Sequence, residues 1–472
     1  MIYSPRVTRR PQHRRATRLR RGVASLFAML YMLIFSTLAI GFYSAVTLSV
    51  QVAHNDERIQ GAQMAAESGL TWVKFYLSRV RVPSNLPDNK LLDEVYLDLA
   101  RLTLNSENLG GREIRYDGAT IHIPDETGLI PLLESESGNG SAFRAKITGA
   151  GPGRVMVTVV AYYRGVVIRR AVEQTFECIL PPNNLFDFGV VSRGPLRMVG
   201  NGSITGPDAN EAKVLTTSYD GPAVRMNGNA TLGGKLHLVN PDGQVITSGN
   251  VSIGGENSSW GREANTVRGT PMPEFPTVDN AAFLQYATNR YVRGQTVYRN
   301  VLIPSNTNPT FSSNVTVEGV LYIKYPNQVK FSGQATIKGV IVTEPPPTPT
   351  SSSSSQLSFA GGVQATEMPD DPTLPAGLRE LKGSSILAPG FAVEFAGHSG
   401  VNGGSMIADS FSFVGGSNAT IKGHLISLGT KEFTMTGGSN INRSKGDRLP
   451  SGLIFQKTLR VIPTSYFEVL AD

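Results

Sequence analysis

The chain of 472 residues contains one cysteine, Cys178, so it has no internal disulfide and no CxxC redox or zinc motif. Its histidines also lack the spacing of a metal site. The six are His13, His54, His122, His237, His398 and His424. We therefore expect no metal and no cofactor. His398 and His424 fall on neighbouring repeats, and we expect surface or turn positions for both.

The sequence also lacks the recurring carboxylate pairs that polysaccharide lyases and hydrolases need. The aspartates of its second half do not return at one position of the repeat described below; they are Asp187, Asp208, Asp220, Asp242 and Asp409. Asp370 and Asp371 stand between prolines in a predicted loop. No Lys-Ser or Lys-Thr pair follows the glycine-rich turns, which excludes a phosphate loop. We predict no catalytic residue and no enzymatic activity.

No acidic residue precedes Asp56, whereas eight arginines do. They are Arg6, Arg9, Arg10, Arg14, Arg15, Arg18, Arg20 and Arg21. Positive residues beside a membrane span stay in the cytoplasm, so the bulk of the chain is predicted to lie outside it. Removing these eight from the 44 Lys plus Arg leaves 36, against 37 Asp plus Glu. The exported part is nearly neutral, which argues against nucleic acid as a partner.

Residues 22–53 form a run of 32 residues without a charge. A bilayer core needs roughly 20 apolar residues. A secretory signal peptide carries an apolar core of only about 7 to 15 residues. We therefore predict a single membrane-spanning helix over residues 23–48, in an inner membrane, with the N-terminus in the cytoplasm.

The helical pattern continues beyond this span. Apolar residues recur at spacings of three and four, which places them along one face of a helix. They are Ile59, Ala62, Ala66, Leu70, Val73, Leu77 and Val80, and Pro83 ends the pattern. A helix over residues 23–80 would be about 87 Å long, so its outer part must pack on protein. An ordinary one-span anchor is the alternative.

Two motifs flank the apolar run. Residues 20–26 read RRGVASL, and residues 62–70 read AQMAAESGL after NDER at 55–58. This region resembles the N-terminal part of PilX-type minor pilins and K-type minor pseudopilins of type IV pili and type II secretion systems. In that family prepilin peptidase removes a basic leader ending in glycine, and the helices then bundle into a filament. The resemblance implies processing between Gly22 and Val23, with the membrane, prepilin peptidase and other pilin or pseudopilin subunits as partners.

The same resemblance suggests roles for individual residues. Phe27 stands where major pilins carry glutamate, as in the PilX and K-type branches, whose members initiate or cap filaments. The apolar stripe from Ile59 to Leu77 is expected to serve helix assembly. Glu67 would be a charged partner within the bundle, or else a solvated helix residue. Asp125, Glu126 and Gly128 resemble the DE-x-G segment of K-type pseudopilins, for which a solvated turn is the alternative.

Residues 84–182 mix helical and strand patterns. A helix is predicted over residues 91–104, and strands are predicted over 112–123, 143–148, 155–163 and 166–176. Tyr163-Arg164-Gly165 is a plausible tight turn between the last two strands. A long helix followed by an antiparallel sheet is an α+β arrangement and agrees with a pilin-like module.

Beyond residue 183 a glycine-rich phrase recurs, with copies beginning at Arg197, Arg225, Ile246, Phe311, Lys330 and Phe413. Closing glycines at 234 and 255, 319 and 339, and 403 and 423 are 21, 20 and 20 residues apart. That spacing is too short for a propeller blade of about 40 to 45 residues. It suits one coil of a parallel β-helix, which we expect to be right-handed. A β-sandwich is the alternative.

The predicted organisation is α+β followed by all-β. It comprises a basic cytoplasmic leader (1–22), a transmembrane and amphipathic helix (23–83), a pilin-like α+β module (84–182), a β-helix (183–456) with insertions at 256–308 and 345–355, and a C-terminal β tail (457–472). The β-helix resembles those of bactofilins and pectate lyases.

We therefore predict a non-enzymatic component of a type IV pilus or type II secretion-like filament, which displays the β-helix for assembly or adhesion, with surface glycans as further partners. One alternative is a membrane-anchored protein that binds or acts on polysaccharide. Another is a bactofilin-like polymer in which coil ends stack between molecules.

Overall fold

The computed structural model describes residues 20–104, 106–109, 111–125, 127–132, 140–163, 168–348, 355–366, 368–397, 400–446 and 448–470. Predictions that concern residues 1–19, Glu126, the Arg164-Gly165 turn, the stretch 349–354 and His398 lie outside the described residues. The chain forms two compact units. Unit 1 comprises Met1–Val80, Asp88–Cys178 and Leu459–Asp472, and unit 2 comprises Arg81–Pro87 and Ile179–Thr458.

Unit 1 begins with one continuous helix, α1, which runs from Arg20 to Leu77 over 58 residues. The predicted long apolar helix is therefore confirmed. It ends three residues before Val80, where the chain passes through a turn at Ser78 and Arg79. The short helix α2 (Leu91–Thr103) buries Leu91, Val95 and Leu99, which lie four residues apart on one face.

The rest of unit 1 is an antiparallel sheet. Its strands are Arg115–Tyr116, Thr120–Ile123, Ile130–Pro131, Ser141–Gly149, Arg154–Tyr163, Ile168–Ile179 and Phe467–Val469. Single 3₁₀ turns lie at Asp88–Lys90, Glu107–Leu109 and Pro463–Ser465. The strand Ser141–Gly149 alternates buried and more exposed residues, because one face of the sheet is covered more fully than the other. The predicted α+β arrangement of helix and sheet is what the structure shows.

Unit 2 is a stack of short strands joined by parallel ladders. The described strands form nine coils, numbered here in chain order. They are coil 1 (Val190–Ser192, Leu196–Gly200, Ser203–Thr205), coil 2 (Val214–Thr216, Pro222–Gly228, Thr231–Leu232), coil 3 (Leu236–Leu238, Gln244–Gly249, Ser252–Ile253), coil 4 (Val297–Ile303, Thr310–Phe311), coil 5 (Val315–Ile323, Gln328–Phe331), coil 6 (Ala335–Thr343, Gln356–Phe359), coil 7 (Val363–Thr366, Ser384–Phe395), coil 8 (Gly400–Gly403, Ser405–Phe413) and coil 9 (Asn418–Lys422, Leu425–Ser427, Phe433–Gly437).

Pairing between successive coils is parallel and nearly in register; for example, Gly319 pairs with Gly339, as the 20-residue spacing predicts. A β-sandwich of antiparallel strands is therefore excluded, and the parallel β-helix-like architecture is confirmed.

The coils do not stack in chain order. Coil 9 pairs with coil 1, because Leu425–Ser427 lies on Val190–Ser192 and Phe433–Gly437 lies on Leu196–Gly200. The final strand, Asn440–Ser444, lies between Asn418–Lys422 of coil 9 and Ser203–Thr205 of coil 1. The order along the stack is thus 4-5-6-7-8-9-1-2-3, and the chain enters and leaves the stack near its middle.

The connection from coil 3 to coil 4 falls in the predicted insertion 256–308. Part of that range is on the stack: Thr266–Arg268 pairs with coil 3, and Val297–Ile303 belongs to coil 4. The segment 256–308 is therefore not wholly an insertion outside the stack. It connects coil 3 at one end of the stack with coil 4 at the other, so its first and last parts pair with those coils. Further short elements of unit 2 are α3 (Ser259–Ala264), α4 (Asn280–Leu284), α5 (Ala376–Arg379), a 3₁₀ turn at Leu185–Asp187, and strands Arg81–Pro83, Thr277–Val278, Asn289–Arg290 and Leu453–Ile454. The strand Gln456–Val461 begins in unit 2, where residues 456–458 pair with Arg81–Pro83, and its last three residues belong to unit 1.

The core of the stack is a column of aromatic rings. Phe311, Phe331, Phe359, Phe395 and Phe413 stack with centroid separations of 4.6, 4.9, 5.2 and 5.0 Å. In a parallel ladder the same position of each coil meets its equivalent, so one residue type repeats along the axis.

One corner of the stack is built from glycines with left-handed backbone. Gly437, Gly200 and Gly228 stack on one another with φ of 76°, 99° and 86°. A Cβ atom at Gly200 would lie 2.6 Å from the carbonyl oxygen of Gly437. The corner therefore needs glycine both for its conformation and for its close backbone contact.

Candidate assembly helix

The first half of α1 presents apolar side chains that no other part of the described chain covers. Every residue from 23 to 52 is exposed, and the most apolar window of the helix has a mean hydropathy of 2.2 with none of it buried. Val23 is 56% exposed, and Gly22 precedes it in the same helix. By length and composition this helix can serve as a single membrane anchor or signal.

The second half of α1 packs on the sheet of unit 1. Of the residues predicted to serve assembly, Ala62, Ala66, Leu70, Val73 and Leu77 are at most 2% exposed. The rings of Trp72 and Phe143 pack together at this interface, with centroids 5.9 Å apart. These five side chains hold the helix to its own sheet, which leaves them no free surface for a neighbouring subunit. Ile59, 36% exposed, is the member of the predicted stripe that remains accessible.

Two glycines allow this close packing, and the sequence reasoning missed them. A Cβ atom at Gly69 would lie 2.6 Å from the ring of Phe143, and one at Gly61 would lie 2.8 Å from the ring of Tyr163. With Ala65 between them, these residues form a small-residue pattern at intervals of four. Small residues at that spacing permit close approach to a helix, and this was the signal available in the sequence.

We predict that Gly69→Ala lowers the free energy of unfolding of unit 1 by about 1–3 kcal/mol, because the added methyl group overpacks the contact with Phe143. Urea unfolding followed by tryptophan fluorescence measures this change in a Trp260→Phe background, where Trp72 is the remaining tryptophan. Gly41→Ala is the matched control, since nothing lies within 4 Å of its added Cβ. Equal stability of the two variants would show that the helix does not rest on the sheet through Gly69.

Glu67 lies in a polar cluster of unit 1. Its carboxylate accepts a hydrogen bond from Gln63 Nε2 at 3.2 Å and from the Tyr466 hydroxyl at 3.3 Å. Gln63 also donates to Glu468 at 3.1 Å. Partial burial and the neighbouring Glu67 raise the pKa of Tyr466. Glu67 is exposed and bonded within its own chain, so its role as a partner within a helix bundle stays a prediction.

Asp125 closes a local turn. Its carboxylate accepts hydrogen bonds from the backbone amides of Thr127 and Gly128 at 2.8 and 2.5 Å, which lower its pKa. This geometry is that of an Asx turn. It matches the solvated-turn alternative for the DE-x-G segment.

Three of the described histidines, His122, His237 and His424, each contact a different partner. His122 contacts the Asp117 carboxylate at 3.1 Å, and backbone amides with this contact lower the pKa of Asp117 to about 2. His237 is half-buried beside the Thr270 hydroxyl at 3.2 Å. His424 is 5% exposed, so the expected surface position is wrong; it lies in the short connection between Asn418–Lys422 and Leu425–Ser427, which agrees with the turn position that was the other expectation. Among the described residues, no group of three His, Cys, Asp or Glu side chains could hold a metal ion.

No protein-family model matches this sequence, and no curated protein matches it. Among solved structures, the chain is similar to the competence-associated pilin ComZ from Thermus thermophilus, with 14% sequence identity and a TM-score of 0.24. The match covers 88% of this chain and 98% of that chain.

Proposed function

We propose that this protein is a non-enzymatic structural component of a type IV pilus or a type II secretion-like filament. Its helix enters the inner membrane with the N-terminus in the cytoplasm, and prepilin peptidase removes residues 1–22. The mature chain joins other pilin or pseudopilin subunits through the exposed first half of α1, as PilX-type or K-type minor subunits do. The coil stack is then displayed outside the cytoplasm for assembly or adhesion.

The observation that carries this proposal is the division of a single helix into two halves of different surface. Residues 23–52 of α1 are exposed on every side, whereas the half that includes Ala62 and Leu77 buries one face on an antiparallel sheet. A simple anchor needs only about 20 residues in the bilayer and no rigid continuation. A helix that is rigidly joined to a folded module can present its apolar half both to lipid and to equivalent helices. The eight arginines that precede it agree with a cytoplasmic leader.

The processing step has a direct test. Coexpression with a prepilin peptidase is expected to shorten the chain by the 22 residues that precede Val23, and intact-mass measurement of the purified protein detects this loss. Gly22→Leu should prevent the cleavage by placing a bulky side chain beside the scissile bond. Gly41→Leu, in the same helix but far from that bond, should be cleaved normally. Retention of Met1 in the unaltered chain would remove the processing proposal.

A further inference from the structure

A groove of about 410 Å³ opens on the side of unit 2 where three neighbouring coils turn a corner. Arg193 from coil 1, residues 217–220 from coil 2 and Thr430 from coil 9 line it. Arg193 follows the strand Val190–Ser192, residues 217–220 follow Val214–Thr216, and Thr430 follows Leu425–Ser427. These three strands pair with one another, so the lining residues follow one another along the stack. Phe275, from the connection between coils 3 and 4, also lines the groove.

Arg193 is the charged centre of this groove. Its guanidinium lies over the ring of Phe275, 4.3 Å from the ring centroid. Among the described residues, the Arg193 guanidinium forms no ion pair at contact distance; the Asp409 carboxylate acts on it through a longer-range electrostatic interaction. An arginine held flat on an aromatic ring keeps its planar set of donors oriented for a carboxylate, with less loss of side-chain freedom on binding.

The other lining groups suit a sugar. Tyr219 is 61% exposed and Met272 is 56% exposed, so they offer apolar surface for the C–H face of a pyranose ring. The exposed Asp220 carboxylate and Thr430 hydroxyl offer acceptors and a donor for sugar hydroxyls. A simple anion would gain nothing from the Asp220 carboxylate. A polyhydroxylated acid can use both it and Arg193.

The backbone of this corner is already paired between coils. Arg193 N donates to Ser427 O at 3.1 Å, and Thr217 N donates to Ser192 O at 2.9 Å. Leu428 N donates to Ala408 O at 2.7 Å in the same way. A peptide therefore finds no free strand edge on which to add, and recognition must rely on side chains.

We propose that this groove binds a glycan containing uronic acid, with the sugar carboxylate on Arg193 and neighbouring rings along Tyr219. The inference rests on the proposed function, since a coil displayed outside the cytoplasm would meet such polymers. It gives the adhesive role a specific site and a ligand class. The chain of sugars would run along the stack from coil to coil, because the lining groups follow that direction.

The test uses the full chain in lipid nanodiscs and isothermal titration calorimetry with tetragalacturonate. We expect saturable binding, with maltotetraose and tetraglutamate each binding at least about tenfold more weakly, because one lacks the charge and the other lacks the sugar. Arg193→Gln is expected to weaken tetragalacturonate binding by about tenfold or more, through loss of charge-assisted hydrogen bonds. Arg193→Lys should recover only part of the affinity, because the charge remains and the planar donor set does not.

Arg225→Gln is the matched control, since Arg225 is exposed on coil 2 and does not line the groove. It should bind tetragalacturonate as the unaltered chain does. The proposal is overturned if the full chain does not bind tetragalacturonate, if Arg225→Gln loses as much affinity as Arg193→Gln, or if tetraglutamate binds equally well. Unchanged melting temperatures of the variants separate lost binding from lost folding. Because cleavage after Gly22 is read by mass alone, failure of this proposal and failure of the filament proposal are distinguishable.

Discussion

Replacing Phe395 with alanine is expected to lower the free energy of unfolding of unit 2 by about 3–5 kcal/mol. The side chain is fully buried, and its ring stacks between Phe359 at 5.2 Å and Phe413 at 5.0 Å. Its removal leaves a cavity in the middle of the aromatic column. Neighbouring coils hold the two flanking rings in place, so the cavity cannot collapse.

The measurement is urea unfolding followed by far-ultraviolet circular dichroism, together with amide hydrogen exchange of coils 6, 7 and 8. In a stack, each coil is stabilised by its neighbours, so the loss of exchange protection should be largest in these three coils. Val414→Ala is the control, because Val414 is next in sequence to Phe413 of the aromatic column but is itself 39% exposed. It should change the stability by less than about 0.5 kcal/mol. Similar effects of the two substitutions would mean that the aromatic column does not support the stack.

The local architecture of unit 2 was predictable because a glycine recurs at the equivalent position of successive coils. The spacing of Gly319 and Gly339 equals one coil, and the two residues are paired. The residues that precede each of these glycines alternate between buried and more exposed side chains, as at 315–318 and 335–338. A period near 20 residues together with period-two alternation is sufficient to indicate a parallel coil.

The order of the coils was not predictable. Every coil presents an apolar inner face and a ladder of backbone groups, so the pattern that defines a coil does not say which coil lies next to it. The position of Asn440–Ser444 between coils 9 and 1 depends on matches such as Ile441 with Ile204, which any pair of coils could supply. Sequence spacing specifies the repeat, whereas the stacking order depends on the path of the connection between coils 3 and 4.

A similar limit applies to α1. The spacing of Ala62, Ala66 and Leu70 correctly identifies a buried face, but an amphipathic pattern is the same whether the partner is a sheet of the same chain or a helix of another. The complementary signal lies in the strands that contain Phe143 and Val159, whose inward residues are fully buried beneath the helix. The sequence indicates that one face of α1 is buried, and the structure shows that the sheet of unit 1 buries it.

Acidification from pH 6.5 to pH 4 is expected to destabilise unit 2 by about 3 kcal/mol through His424 alone. Burial lowers the pKa of His424 from 6.5 to about 4. The hydrogen bond that its Nδ1 donates to Phe188 O at 2.9 Å raises the pKa, but burial has the larger effect. The neighbouring Arg443 acts in the same direction as burial, whereas Asp187 opposes it. The unfolded chain therefore binds a proton that the folded chain excludes. The stability is fully present above pH 6.5 and is lost as the pH falls through 4.

Urea unfolding at pH 7 and at pH 4.5 measures this loss, and His424→Asn is the comparison, since its amide can donate to Phe188 O without titrating. The variant should lose clearly less stability over this range. Partial burial also lowers the pKa of His237, so the variant is expected to keep a smaller loss of stability from that residue.

Carboxylates with lowered pKa values add a smaller loss of the same sign, which is common to the variant and the unaltered chain. Asp370, Asp371 and Glu263 lose their contribution as the pH falls past their ordinary values of 3.8, 3.8 and 4.5. Burial raises the pKa of Asp409, so its protonation favours the folded state. An equal loss in the variant and in the unaltered chain would therefore show that His424 is not the group that makes unit 2 sensitive to acid.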